Sequence, residues 1–247
     1  MQNRIIPGCE PQYLKGGEKG CLLLHGFTSS PFEMRDLGVL LNHEDFTVHI
    51  PLLPGHGTSP ANLRKNNWYD WFETAKNELF QLRKRCKKVY VIGLSMGGTL
   101  ALHLAAHYEI NGVAALAPGL YLKNRFAIFS HFLKPFIRYS RKYSGPDIKA
   151  DVKTLTYSKI SVRAISELLK MFKHVKQDLK DIYTPLLIIY ARDDHVINGK
   201  SAKTIYKNVS SQNKRILELT NSYHIVTLDY EKETVFTEIS SFLKSLS

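Results

Sequence analysis

Residues 93–97 read Gly-Leu-Ser-Met-Gly, and their flanks restrict the fold more than any other part of the chain. Upstream lies Lys87-Lys88-Val89-Tyr90-Val91-Ile92, a β-branched and apolar run with the make-up of a buried strand. Downstream, Gly98-Thr99-Leu100-Ala101-Leu102-His103-Leu104-Ala105-Ala106-His107 has helical composition. A strand that enters a helix through one serine holds that serine in a strained backbone conformation, worth about 1–3 kcal/mol. The residues two before and two after it nearly collide, so Gly93 and Gly97 are both needed. The Ser95 hydroxyl then stands clear of the sheet, at the positive end of the following helix. A merely structural turn is the alternative, and the strand–helix context weighs against it.

The rest of the chain repeats this alternation. Gly20-Cys21-Leu22-Leu23-Leu24 is an apolar strand ending at His25-Gly26-Phe27-Thr28. Ser30-Pro31-Phe32-Glu33 predicts a helix start with Ser30 as cap, and Met34, Leu37, Leu40 and Leu41 share its apolar face. Further strands are expected over Phe46–Ile50, Gly112–Leu116, Leu186–Tyr190 and Arg215–Leu219. Helices are expected from Trp68 to Arg85, Ser201 to Lys207 and Glu233 to Leu246. This order predicts an α/β fold, a mostly parallel central sheet with helices on both faces. Its strand–G-x-S-x-G–helix turn resembles the nucleophile elbow of the α/β-hydrolase fold. At 247 residues the chain suits one such domain with a segment inserted.

A serine becomes a nucleophile when a base takes its proton, and that base is a histidine oriented by a buried carboxylate. In this fold the order is Ser, acid, His, each in a loop after a strand. The acid position after Leu186–Tyr190 holds Ala191-Arg192-Asp193-Asp194-His195-Val196, and spacing alone leaves Asp193 and Asp194 both open. The histidine position after Arg215–Leu219 holds Thr220-Asn221-Ser222-Tyr223-His224-Ile225, with His224 alone in it. His195 precedes the last strand and is the wrong partner by order. His43, His49, His103, His107, His131 and His174 fall on predicted helices or strands and read as surface or packing residues. Donors for the oxyanion are the backbone N–H groups of Met96, next after the nucleophile, and Phe27, in the loop after the Cys21–Leu24 strand. His25 and His56 read as braces for neighbouring loops. No metal-type ligand spacing or phosphate-cradling loop is evident, and no cofactor is expected.

The segments His25-Gly26-Phe27-Thr28, Pro54-Gly55-His56-Gly57-Thr58-Ser59-Pro60, Gly93-Leu94-Ser95-Met96-Gly97-Gly98, Ala191–Val196 and Asn221–Asp229 resemble those of the bacterial carboxylesterase and monoacylglycerol lipase group of α/β-hydrolases. The resemblance extends over nearly the full length. It implies Asp194 as the acid of the triad, and Phe27 and Met96 as the oxyanion donors. It implies a core formed by residues 1–119 and 181–247, with residues 120–180 inserted as a cap over the nucleophile. Ser144–Asp151 is similar to a cap segment of the monoacylglycerol lipases, and Asp151 is the expected contact for the glycerol hydroxyls. The cap aromatics Tyr121, Phe126, Phe129, Phe132, Phe136, Tyr139 and Tyr143 are expected to enclose an acyl chain.

The implied activity is a serine ester hydrolase, carboxylesterase or monoacylglycerol lipase, acting on short- to medium-chain esters as small-molecule substrates. A thioesterase or acyltransferase on the same triad is a second reading, and a non-catalytic membrane-docking protein of the same fold is a third. Charge bears on the last. Leu120 to Pro185 holds 14 Lys/Arg against 5 Asp/Glu, so +9 of the chain's +12 lies in about a quarter of its length. A solvated helical face explains such an excess, and peripheral contact with an anionic membrane is the functional alternative. Nucleic acid is not expected as a partner, since no recognition motif accompanies the charge. The start of the sequence lacks the apolar core of a signal peptide, and Cys9, Cys21 and Cys86 lack metal-type spacing. A cytoplasmic protein with reduced thiols is expected.

Overall fold

The structure is a computed structural model that describes residues 4–141, 147–152 and 154–246. Met1–Asn3, Tyr143 and Ser144-Gly145-Pro146, all considered in the sequence, lie outside the described residues. In chain order the elements are β1 (Gln12–Leu14), β2 (Lys19–Leu24), α1 (Arg35–His43), β3 (Phe46–Ile50), α2 (Pro60–Leu63), α3 (Trp68–Arg83), β4 (Lys88–Leu94) and α4 (Met96–His107). There follow β5 (Gly112–Leu116), α5 (Ser130–Leu133), β6 (Tyr139–Arg141), β7 (Lys159–Ser161), α6 (Val162–Asp178), β8 (Leu186–Ala191), α7 (Lys200–Asn208), β9 (Lys214–Leu219) and α8 (Lys232–Ser245). Seven strands make one sheet in the order β1-β3-β2-β4-β5-β8-β9, and β6 pairs with β7 separately. All pairs in the large sheet are parallel except β1 with β3.

Alternation along the central strands feeds two cores. Val89 and Val91 of β4 point into one hydrophobic cluster, with Val113 and Ala115 of β5 and Leu186 and Ile188 of β8. Tyr90, Ile92, Ala114, Leu116, Leu187 and Ile189 point into the other. A strand with both faces covered reads as a continuous apolar run, which is how these strands appear in the sequence. The first cluster is closed by α3, α4, α6 and α7, and the second by α1 and α8. Met96 through Ala105 of α4 are all buried, as suits a helix apolar on every side. This buried helix is the one that follows Ser95.

Two expectations need correction. Ser30 does not cap α1, because its side chain makes no cap hydrogen bond. The chain instead runs Pro31–Met34 as a 3₁₀ turn before α1 opens at Arg35. The sequence reading also missed β1, whose three residues are too few to display an alternating pattern. Among the described residues no helix is long and apolar enough to cross a membrane.

Candidate active site

β4 delivers Ser95 to the carboxyl edge of the sheet, where open parallel sheets carry their chemistry. Ser95 has φ 55° and ψ −113°, the left-handed strain expected of such a turn. A Cβ on Gly93 would strike the Gly97 carbonyl carbon, and one on Gly97 would strike the Leu24 carbonyl oxygen of β2. Both glycines are thus required for α4 to leave the sheet this abruptly. Met96 is the first residue of α4, so its N–H has no acceptor within the helix and points out of the N-terminus. Across the turn, a Cβ on Gly26 would come to 3.7 Å from Ser95 Cβ. The Phe27 ring packs edge-on to Trp71, with ring centroids 5.8 Å apart.

Three side chains remote in sequence meet here. His224 Nε2 lies 2.8 Å from Ser95 Oγ, and His224 Nδ1 lies 2.6 Å from Asp194 Oδ2. The second oxygen, Asp194 Oδ1, accepts the Val196 and Ile197 amides at 2.7 Å each, which fixes the carboxylate. Asp194 is 3% exposed, whereas Asp193 points into solvent, so the structure separates the two acids that spacing left open. Burial alone would depress the His224 pKa. The Asp194 charge and hydrogen bond outweigh it, aided by the charges of Asp147 and Glu33, and the pKa stands above its ordinary 6.5. With His224 as the base expected from the sequence, only its deprotonated ring serves, and activity is expected to be lost as pH falls through this pKa. The acid limb of kcat/KM is therefore expected to have its midpoint above pH 6.5, and a pH–rate profile checks it.

His25 and His56 lie beside this group as braces. Leu53 N–H donates to His25 Nε2 at 3.1 Å, which leaves the proton on Nδ1 to bond Gly26 O at 2.9 Å. Full burial depresses the His25 pKa to about 4, keeping the ring neutral. Its ring meets that of His56, 5.0 Å away. His195 Nδ1 pairs with Asp147 Oδ1 at 2.8 Å.

Ser95 and His224 open onto a cavity of about 260 Å³. Its lining includes Leu122, Ala127, Ile160, Ile165, Leu168 and Phe172. The expectation of an aromatic enclosure is corrected here, because the walls are largely aliphatic. Phe126, Phe132 and Phe136 are 79%, 72% and 86% exposed. The stretch that carries them comprises one 3₁₀ turn and the single-turn α5, too short to present an amphipathic face inward. Asp151 is exposed and is not among the residues that line the cavity. Asp229 takes the amides of Lys149 and Ala150, each at 2.9 Å, and this turn carries the next residue outward.

Sequence reasoning missed two acids at the cavity. Asp147 holds His195 and also accepts the His224 amide at 3.3 Å, bridging the loops that follow β8 and β9. Glu33 is buried on the cavity wall and accepts the Gly26 amide at 3.4 Å. A signal for Glu33 existed: residues 33, 37 and 41 share one helical stripe, and an acid on the stripe of Leu37 and Leu41 is out of place for a solvent-facing cap. Asp147 carried no comparable local signal.

Comparison with known proteins agrees with this geometry. A hydrolase family model described as serine aminopeptidase, S33, matches residues 18–231. A thermostable monoacylglycerol lipase of Bacillus sp. (strain H-257) is 34% identical over 98% of this chain and 96% of its own length. A carboxylesterase of Bacillus subtilis (strain 168) is 30% identical over 96% of this chain and 97% of its own. A structure from the metagenome-derived lipolytic enzymes LipS and LipT superposes with a TM-score of 0.95 at 33% identity, covering 98% of this chain and 100% of that one. The chain belongs to the serine aminopeptidase family of α/β-hydrolases, in its bacterial carboxylesterase and monoacylglycerol lipase group.

Proposed function

We propose that the protein hydrolyses carboxylic esters of short to medium acyl length, monoacylglycerols included, through an acyl-enzyme on Ser95. The observation that carries this reading is the continuous relay from Asp194 through His224 to Ser95 Oγ. His224 Nε2 takes the Ser95 proton as Oγ bonds to the ester carbonyl carbon. The carbonyl oxygen becomes an oxyanion held by the Phe27 and Met96 N–H groups. As the intermediate collapses, the C–O bond to the alcohol breaks and His224 passes its proton to that oxygen. Water then attacks the acyl-enzyme and gives a proton to His224. Cleavage of the acyl bond releases the acid and returns the proton to Ser95. Asp194 keeps the Nδ1 proton in place and stabilises each imidazolium.

In this reading residues 120–180 act as the cap that supplies the acyl wall, as expected from the resemblance. The aliphatic lining selects apolar acyl groups, and its volume lies just below the roughly 300–1,000 Å³ of drug-sized sites. Each buried CH₂ contributes about 0.8 kcal/mol, so kcat/KM is expected to rise about fourfold per CH₂ until the cavity is full, then level off. Turnover of monoacylglycerols, p-nitrophenyl esters and acyl-CoA thioesters of matched chain lengths tests it. A flat response to chain length, or preferred thioester turnover, would favour the thioesterase reading.

The exposed Phe126, Phe129, Phe132 and Phe136, beside Lys123, Lys134 and Arg138, support a second element of the proposal. This face would rest on an anionic membrane, with rings entering the interface and cations meeting lipid headgroups. Co-sedimentation with vesicles should rise with anionic lipid content and fall with salt. Binding indifferent to both would remove the membrane role.

A further inference from the structure

Helix α4 carries His103 and His107, four residues apart, and α6 ends at Asp178. In the sequence both histidines read as surface or packing residues, but the fold brings them to one carboxylate oxygen. His103 Nδ1 lies 2.7 Å and His107 Nε2 lies 3.6 Å from Asp178 Oδ2. Among the described residues this is the one group of His, Cys, Asp and Glu whose three ligand atoms lie within 4.8 Å of one another. It is separate from the reacting serine, since His103 follows Ser95 by two helical turns, roughly 12 Å along α4.

We propose that His103, His107 and Asp178 bind a divalent transition-metal ion, zinc foremost, that ties α4 to α6. Spacing i, i+4 places both imidazoles on one face of α4. Zinc sits about 2.0–2.2 Å from nitrogen and oxygen ligands, so ligand atoms in a tetrahedral site are about 3.3–3.6 Å apart. The observed 2.7 and 3.6 Å bracket that range, and all three ligand atoms lie within 4.8 Å of one another. Two imidazoles and a carboxylate suit zinc, whereas calcium and magnesium require mostly oxygen. His107 and Asp178 are the last residues of their helices, so two carbonyl-rich C-termini converge here and favour a cation.

The surroundings suit a held ligand with an entry path. The His103 side chain is 9% exposed, and its ring packs on Phe72 and Trp68 at centroid distances of 4.5 and 5.6 Å. The His107 side chain is 46% exposed, which leaves the outer side open for entry and for a water ligand. The consequence lies in α6, because Leu168 and Phe172 of this helix line the cavity facing Ser95. A metal at its C-terminal end would fasten that wall to the helix that carries the nucleophile.

The competing explanation is a metal-free staple, in which the two histidines simply hydrogen-bond Asp178. Calorimetric titration of the chelator-stripped full chain with zinc chloride, paired with thermal unfolding, separates the two. The proposal expects one zinc per chain and a Tm that rises with zinc and falls back with EDTA. His107→Ala and Asp178→Asn should each weaken zinc binding by at least about tenfold and abolish the Tm rise. Ester turnover without metal should persist in both variants. His43→Ala, which removes an exposed histidine elsewhere, should bind zinc as the parent does. Absence of saturable binding overturns the proposal. So does binding that survives both His107→Ala and Asp178→Asn, or binding lost only in His224→Ala, which would place the ion at the triad.

Discussion

Ser95→Ala is expected to lower kcat for ester hydrolysis by about 10⁶-fold while the protein stays folded. The substitution removes one oxygen and leaves the turn that holds it. Alanine at φ 55° bears the same backbone strain as serine, and the Gly93 and Gly97 contacts are untouched. What disappears is the atom 2.8 Å from His224 Nε2, and with it the acyl-enzyme. The Phe27 and Met96 amides remain, so a residual rate of about 10³–10⁴ over uncatalysed hydrolysis should persist. Steady-state kinetics beside a thermal melt checks both halves. A variant that unfolds says the residue is structural, and one that keeps substantial activity says the nucleophile lies elsewhere.

Asp194→Asn is the second large effect, about 10⁴-fold in kcat. The carboxylate at present accepts the His224 Nδ1 proton at 2.6 Å, which leaves Nε2 free to receive the proton from Ser95. An amide presents N–H to Nδ1 instead. The imidazole then carries its proton on Nε2, facing Ser95, and cannot act as base. The Val196 and Ile197 amides still have an oxygen to bond, so the loop should hold its shape. Because the Asp194 charge and hydrogen bond raise the His224 pKa against burial, the acid limb of the residual activity should also move to lower pH. Asp193→Asn, at an exposed neighbour, should change kcat little and serves as the control.

What the sequence disclosed, and what it hid, follows from the range of the forces involved. The elbow was legible because its signals are local: a β-branched run, two glycines and an apolar helix in one stretch from Lys87 to His107. The three candidate side chains could be picked out because fold order confines acid and base to particular loops, with His224 alone in its loop, and the structure brings them within hydrogen-bond distance. Asp194 needed more, since whether a carboxylate is buried or exposed is a tertiary property that its neighbour Asp193 shares in sequence. The exposed placement of Asp151 is a tertiary property of the same kind. A remote carboxylate, Asp229, fixes the turn before it and directs it to solvent. The cap aromatics were misjudged because composition shows what could be buried, not which side of a short turn faces the cavity. Aliphatic residues of β7 and α6 fill that wall instead. The meeting of His103, His107 and Asp178 was invisible, since Asp178 follows His107 by 71 positions in the chain.

The most direct test of the central claim is covalent capture. The purified protein treated with a fluorophosphonate probe, digested and mapped by mass spectrometry should carry one adduct per chain, on Ser95. The adduct should be absent from Ser95→Ala and form far more slowly in His224→Ala. An adduct on a different residue, or no adduct on protein that still hydrolyses esters, would contradict the account.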